Sequence, residues 1–306
     1  MAQIHHLITA QGIDFARQVT QDKAERQAVD TAFAVLSDAD QRIGIMHAGF
    51  AMTALPHRQI PDLTWVRQTG DVKLVVESGR DADQAPVGIP YGSIARMILL
   101  YLQTEAVKTR SRDIPLGRSM NQWLANLGVD SGGRQYQLAR EQSKRLSLCR
   151  LTFFRAGAAG TMVSNGSFVR DAILPSSRAD DDQLTLWRES VRLDEGFYDS
   201  LMQHPMPVRE AAIREIGSRS MAIDIYIWLA YRLHVLDRPT PISWAALYAQ
   251  FGGGFAQIRQ FRAKFREPLT LALAAYPEAR VSIDDAGVIL YPSDPAVPYA
   301  RMAAIR

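Results

Sequence analysis

The sequence has 306 residues but only one cysteine, Cys149, and no long apolar run. A single cysteine cannot form an intrachain disulfide framework or a cysteine-based zinc site, so we expect a reducing, cytoplasmic setting. We also expect Cys149 to fill space in a core and not to react. The longest apolar stretches, near Ile94–Leu102 and Ile225–Tyr231, are too short to span a membrane, and no signal peptide pattern begins the chain. The sequence therefore predicts a soluble, unexported protein without a membrane partner.

The motifs of three enzyme classes are also missing. The triplet Gly252-Gly253-Gly254 is followed by Phe255, where a nucleotide-binding loop would carry a phosphate-binding lysine. Rolling-circle nicking enzymes need two histidines separated by one residue, whereas His5 and His6 are adjacent and the others are scattered. No Gly-x-Ser-x-Gly elbow occurs. We therefore predict that the protein is not an enzyme and has no catalytic residue, metal site or cofactor.

Positive charge is the feature that points to a function. The net charge is only +3, but basic residues are concentrated in two segments, Gly132–Arg150 and Gly252–Arg266. Each combines a glycine turn with apolar residues at helical spacing. The predicted inward stripes are Tyr136, Ala139, Ser143 and Leu146, and Ile258, Phe261 and Phe265. The predicted DNA-binding residues are Arg134, Gln137, Arg140, Lys144 and Arg145, and Arg259, Gln260, Arg262, Lys264 and Arg266. Such faces suit a polyanion.

The two basic segments belong to a longer internal repeat. Ser93–Leu102 aligns without a gap on Ser220–Leu229 at an offset of 127 residues, and a second match follows at an offset of 126. Each copy predicts a buried helix, a short strand, a helix, a glycine turn, a basic helix and a β-hairpin. A helix-turn-helix with a hairpin is a winged helix. The predicted fold class is therefore α+β, with two tandem winged-helix domains that are mainly helical and carry β-hairpin wings.

Composition sets the expected boundaries along the chain. Residues 1–39 form an N-terminal helical segment, 40–172 the first winged-helix domain, 173–183 a linker, 184–292 the second domain and 293–306 a tail. The linker contains Asp180-Asp181-Asp182, which we interpret as a solvated loop. The apolar stripe expected in the N-terminal segment is Phe15, Val19, Val29, Phe33 and Leu36. That segment is expected either to cover a domain or to mediate self-association.

Other elements are predicted from local signals. A hairpin is expected between Thr64 and Glu77, and a helix over Val208–Ile216. The tail after Pro292 is expected to be irregular. Trp123, Trp228 and Trp244 are expected to pack in cores and not to stack on bases. The wing arginines Arg155 and Arg170 are expected to contact phosphate or the minor groove.

Several long segments also share the pattern of one known family. They are Gly88–Ala106, Leu116–Leu124, Arg140-Glu141-Gln142, Leu151-Thr152-Phe153, Leu55–Arg58 and the hairpin Trp65–Glu77. Spread over roughly residues 45 to 292, they resemble the plasmid RepA-type replication initiator family. The resemblance implies binding to repeated origin sequences, called iterons, through two winged-helix domains, with dimers that also repress their own promoter.

Three hypotheses follow. A replication initiator would bind double-stranded origin DNA, form homodimers in part, and recruit the host initiator ATPase and replicative helicase, because the chain has no motor motif. A sequence-specific transcriptional repressor would make the same DNA contacts without a helicase partner. A nuclease would need metal or tyrosine chemistry, and its ligands are missing. The residues argue against the third hypothesis, whereas only the resemblance separates the first from the second.

Overall fold

The chain divides into two compact units. The computed structural model describes residues 2–20, 22–117, 119–129, 132–157, 160–172 and 190–302. Residues 1–54 and 206–306 form the first unit, called the terminal unit below, and residues 55–205 form the central unit. This division differs from the expected boundaries, because residues 40–54 group with the C-terminal part of the chain. The expected linker, 173–183, and the residues up to 189 lie outside the described residues.

The terminal unit begins with two helices where a single stripe was predicted. Its first elements are α1 (Ala2–Val19), α2 (Lys23–Leu36), β1 (Ile43–His47) and α3 (Gly49–Met52). Asp22 separates the two helices because its side chain accepts a hydrogen bond from the Glu25 amide and so caps α2. The predicted stripe is wrong apart from Val29, since Phe15 and Phe33 are exposed. The helices pack instead through small side chains, mainly alanines, which allow a close approach.

The central unit contains two antiparallel sheets and the first helix-turn-helix. Its elements are β2 (Thr64–Thr69), β3 (Val72–Glu77), α4 (Gly92–Thr109), β4 (Asp113–Pro115), α5 (Met120–Asn126), α6 (Gly133–Leu148), β5 (Arg150–Gly157), β6 (Gly160–Gly166), β7 (Val169–Asp171), β8 (Ser190–Leu193) and α7 (Glu195–Gln203). The predicted hairpin β2–β3 is present. It joins β5–β6 in a four-stranded sheet of order β2-β3-β5-β6, while β4, β8 and β7 form a second sheet.

The rest of the chain completes the terminal unit. Its elements are β9 (Pro205–Arg209), which begins at the boundary, α8 (Glu210–Ile216), α9 (Ser220–Arg232), β10 (Thr240–Ser243), α10 (Trp244–Phe251), α11 (Ile258–Ala274), β11 (Val281–Ile283), β12 (Gly287–Leu290) and α12 (Tyr299–Met302). The helix predicted over Val208–Ile216 is only partly correct, because its first residues belong to β9, which pairs with β1. The tail also contains a short helix, α12, where an irregular chain was expected.

The repeated order of elements is present in the structure. The series α4–β4–α5–α6–β5–β6 recurs as α9–β10–α10–α11–β11–β12. The strands pair differently in the two copies. In the terminal unit the order is β10-β12-β11, so the strand before the helix-turn-helix joins the hairpin that follows it. In the central unit β4 pairs with β8 instead. The local pattern is therefore shared, while the strand partners are set by distant segments.

The N-terminal helices pack against the C-terminal end of α11. Ala28, Val29 and Ala32 of α2 cluster with Ala274, the last residue of α11. In addition, the His5 side chain forms a 2.8 Å hydrogen bond from Nε2 to the Ala274 carbonyl oxygen, and burial lowers the pKa of this imidazole. The C-terminal half of α11 is thus enclosed by the first residues of the chain. Only the N-terminal half is left at the surface.

Candidate nucleic-acid interface

An aromatic cluster fixes the helix-turn-helix of the terminal unit. Phe265 lies 5.8 Å from Trp244, 5.9 Å from Phe251 and 5.0 Å from Phe261, measured between ring centroids. Of the three residues predicted to face inward on α11, Phe261 and Phe265 are fully buried, whereas Ile258 at the start of the helix is 40% exposed, contrary to the prediction. Ser243 caps α10 by accepting a hydrogen bond from an amide of the first turn. The cluster therefore holds α10 against α11 and fixes which face of α11 is exposed.

The turn between the two helices requires glycine at its first position. A Cβ atom on Gly252 would lie 2.3 Å from a ring carbon of Tyr248 and 2.5 Å from the Tyr248 carbonyl oxygen. Tyr248 cannot move easily, because its hydroxyl donates a 2.6 Å hydrogen bond to the Phe255 carbonyl oxygen. Close packing in the turn thus explains the glycine at position 252.

We predict that Gly252→Ala lowers the stability of the terminal unit, because the added methyl group would push against backbone and ring atoms that cannot move apart. The expected cost is about 1–3 kcal/mol, as for other overpacked sites. The matched control is Gly133→Ala, where a Cβ atom would meet no atom within 4 Å at the start of a helix. Alanine should be neutral or slightly stabilising there. Thermal unfolding of both variants tests this, and equal melting temperatures would contradict it.

All five DNA-binding residues predicted on α11 are exposed. Arg259, Gln260, Lys264 and Arg266 lie on the surface of its N-terminal half. Arg262 is exposed too, but the structure gives it a local role. Its guanidinium lies 5.2 Å from the Trp244 ring centroid and donates a hydrogen bond to the Asp285 carbonyl oxygen in the β11–β12 turn. Arg262 therefore connects α11 to its hairpin.

The basic face of α6 is smaller than predicted. Arg134 and Gln137 are exposed, and Arg140 and Lys144 are partly exposed. Lys144 forms a 2.9 Å ion pair with Asp81, and this hydrogen bond lowers the pKa of the Asp81 carboxyl group. Four of the five predicted residues thus share one accessible face. The charge of Lys144 already has a carboxylate partner there.

Arg145 was predicted to bind DNA, and its position in the structure contradicts that prediction. Its side chain is buried, with one guanidinium nitrogen 2.6 Å from Glu141 and another donating to the Ile89 carbonyl oxygen. The buried stripe of α6 consists of Ala139, Gln142, Arg145 and Leu146. Helical spacing alone did not reveal this, because polar residues were assumed to face solvent. In turn, Tyr136, predicted to face inward, is 38% exposed one turn before Arg140. Sequence reasoning missed this aromatic side chain on the accessible face.

The two wing arginines lie in different sheets. Arg155 is exposed in β5, within the four-stranded sheet, as the third residue from the end of the strand. Arg170 lies in β7 of the other sheet, where it lines an open recess of about 480 Å³ together with Arg112 and Arg192. The charges of Arg112 and Arg192 are balanced by ion pairs with Glu195 and Asp113. Arg170 is therefore not part of the hairpin, contrary to the prediction.

Comparison with known proteins identifies the family of the chain and a similar fold. The family model described as "Plasmid encoded RepA protein" matches residues 89–245. The chain belongs to the RepA family. Among solved structures, the chain is similar to a crystal structure of a selenomethionine derivative of domains 2 and 3 of RctB, with a TM-score of 0.51 and 12% identity over 82% of this chain and 98% of that chain. A second structure of RctB domains 2–3 gives a TM-score of 0.47 at 12% identity, covering 78% and 93%. The comparison with curated proteins gives no match.

The RepA match confirms the family predicted from the sequence motifs, and the structure shows what those motifs do. Arg96 of the motif in α4 is buried and donates to the carbonyl oxygens of Leu55, Pro56 and Gly92. It thereby fixes the upstream Leu55–Arg58 motif against the start of α4. These two motif segments meet in space although they are about forty residues apart in the chain.

Other side chains of the RepA-family chain have packing roles. Trp123, Trp228 and Trp244 are at most 5% exposed, which confirms that they belong to cores. Cys149 is buried, and burial raises the pKa of its thiol to about 12, which opposes thiolate formation. Among the residues that the structure describes, no group of three or more His, Cys, Asp or Glu side chains could hold a metal ion. None of the helices in this same part of the chain combines the length and the hydropathy that a membrane-spanning helix needs.

Proposed function

We propose that this RepA-family protein initiates plasmid replication by binding repeated origin DNA through two winged-helix domains. The observation that carries the proposal is the exposed basic half of α11, held by a buried aromatic cluster. The series α9–β10–α10–α11–β11–β12 and its sheet order support a winged-helix assignment in the terminal unit. The same series in the central unit supports a second domain, with a wing that belongs to a larger sheet.

The first half of α11 would lie in the major groove. Arginine can form two hydrogen bonds with the edge of guanine, and glutamine can do so with adenine. Arg259 and Arg266 are exposed seven positions apart, with Gln260 next to the first. Beyond this face, Glu267 forms a 2.9 Å ion pair with Arg219, so the next position on the helix carries a negative charge. The reading face would therefore consist of about two helical turns.

The central unit would contribute a second reading helix. Arg134, Gln137 and Arg140 of α6 would face the groove, and Lys144 would exchange Asp81 for a phosphate. Arg155 of β5 would contact the backbone beside the groove. Two reading helices that enter grooves one helical turn apart, about 34 Å, need a site of about 17–22 base pairs.

Initiation would also require partners. Since the sequence has no nucleotide-binding motif, opening of the origin would depend on the host initiator ATPase and the replicative helicase. Dimers of the protein would repress its own promoter through the same DNA contacts. The alternative is a transcriptional repressor without an initiation role, and it shares every DNA contact described above.

Plasmid maintenance separates the two functions. We expect the gene, supplied in trans, to maintain a plasmid that carries only its candidate origin and a selectable marker. A variant with Arg259→Ala and Arg266→Ala should fail to maintain that plasmid, since it would not bind the origin. Strong DNA binding by the wild-type protein without maintenance of the plasmid would favour the repressor instead.

A further inference from the structure

Two segments of the family motif meet at the inner face of α6. The Tyr91 amide donates a 2.8 Å hydrogen bond to the Gln142 Oε1 atom, and an Arg145 Nη atom donates a 3.0 Å bond to the Ile89 carbonyl oxygen. The partners are 51 and 56 positions apart in the chain. Gln142 and Arg145 are both buried. The segment that leads into α4 is therefore joined to the middle of α6 by two α6 side chains that bond to its backbone groups.

The guanidinium of Arg145 is fixed from several sides. Besides the bond to Ile89, it forms a 2.6 Å ion pair with Glu141 on the preceding turn and lies 5.1 Å from the ring centroid of Tyr91. Gly88 lies on a further side with a φ of +82°, and a Cβ atom there would be 2.5 Å from an Arg145 nitrogen. Only glycine leaves room for the arginine and adopts this backbone conformation without strain. The planar guanidinium fits a site that a lysine would not fill.

We propose that Gln142 and Arg145 are positioning residues that set the rotation of α6 about its axis and so determine which DNA sequence the central unit prefers. Gln142 and Arg145 lie three positions apart and anchor one side of the helix. Gln137, Arg140 and Lys144 lie on the other side. This inference rests on the proposed function, since it concerns the same DNA-reading helix.

Rotation of α6 matters more for base contacts than for phosphate contacts. Paired hydrogen bonds to a base edge need defined directions, whereas attraction between a cation and a phosphate tolerates small displacements. Loosening the contacts of Gln142 and Arg145 should therefore reduce binding to the preferred sequence and leave sequence-independent binding nearly unchanged. The sequence predicted that Arg145 binds DNA directly, and a direct phosphate contact would have the opposite signature. If Arg145 contacted a phosphate, a variant without its charge, Arg145→Met, would lower the salt dependence of binding to every duplex, whereas Arg145→Lys, which keeps the charge, would not.

The experiment uses the full chain and two duplexes of equal length. One is the duplex that the wild-type protein enriches from a random library, and the other is its scrambled sequence. We expect Arg145→Lys and Gly88→Ala each to weaken binding to the enriched duplex about 10- to 100-fold, which corresponds to one lost bidentate base contact. Affinity for the scrambled duplex should change less than about 2-fold, and the slope of log affinity against log salt should not change.

Two controls decide between explanations. Gly12→Ala has the same φ of +82° with no atom within 4 Å of the added Cβ, so it reports backbone strain alone and should leave both affinities unchanged. Arg134→Ala with Arg140→Ala should weaken binding to both duplexes. If that double variant binds like wild type, the proposed DNA face is wrong. If it loses binding while Arg145→Lys and Gly88→Ala keep wild-type affinity and dissociation rates, or while Arg145→Met lowers the salt slope by about one, only the positioning role is overturned.

Discussion

Replacing Arg259 and Arg266 together with alanine should weaken binding to the enriched duplex by about 2–6 kcal/mol, or at least about 30-fold in Kd. Both arginines are exposed on the half of α11 that the N-terminal helices leave uncovered. Each is expected to make one bidentate contact with a base. Titration of the full chain by fluorescence anisotropy measures the effect.

The matched control for this variant removes the same charge elsewhere in the terminal unit. Arg26 in α2 and Arg238 before β10 are both exposed and lie outside α11. Alanine at both positions should change Kd less than about 3-fold, through long-range electrostatics alone. Thermal unfolding of both double variants should stay near that of the wild type. Equal losses of affinity in the two variants would mean that total charge, and not the face of α11, determines binding.

The second large effect concerns the aromatic cluster that holds α11. Phe265→Ala should destabilise the terminal unit by about 3–5 kcal/mol, because a fully buried ring that contacts three other rings is replaced by a cavity. DNA binding by α11 should be lost at temperatures where the wild type still binds. Urea unfolding followed by tryptophan fluorescence measures the change, since Trp244 is one of the neighbouring rings.

Phe15→Ala is the control for the loss of a phenylalanine. Phe15 is 42% exposed on α1, so its removal should cost less than about 0.5 kcal/mol. The sequence had placed Phe15 in an inward stripe, and that interpretation would give it a cost like that of Phe265. A cost above about 2 kcal/mol for Phe15→Ala would therefore contradict the packing of the N-terminal helices described here.

The two reading helices show where sequence periodicity succeeds and where it fails. For α11, Phe261 and Phe265 are both aromatic and both buried, so the exposed face followed directly from their spacing. For α6, half of the buried stripe is polar, because Gln142 and Arg145 bond to backbone groups of the Gly88–Gly92 segment. Burial of a polar residue depends on partners that are far away in the chain, and a period of 3.6 residues contains no information about them.

The sequence by itself determined the repeated order of helices and strands, the family, and the basic half of α11. These follow from residues that are close together in the chain, namely caps, glycine turns and apolar spacing. Only the tertiary structure decided that the first 54 residues belong with the last hundred, that β4 pairs with β8, and that Arg145 is an internal anchor. Each of these depends on hydrogen bonds or packing between segments that are distant in sequence. Such pairings are selected by the free energy of the whole fold and not by local preference.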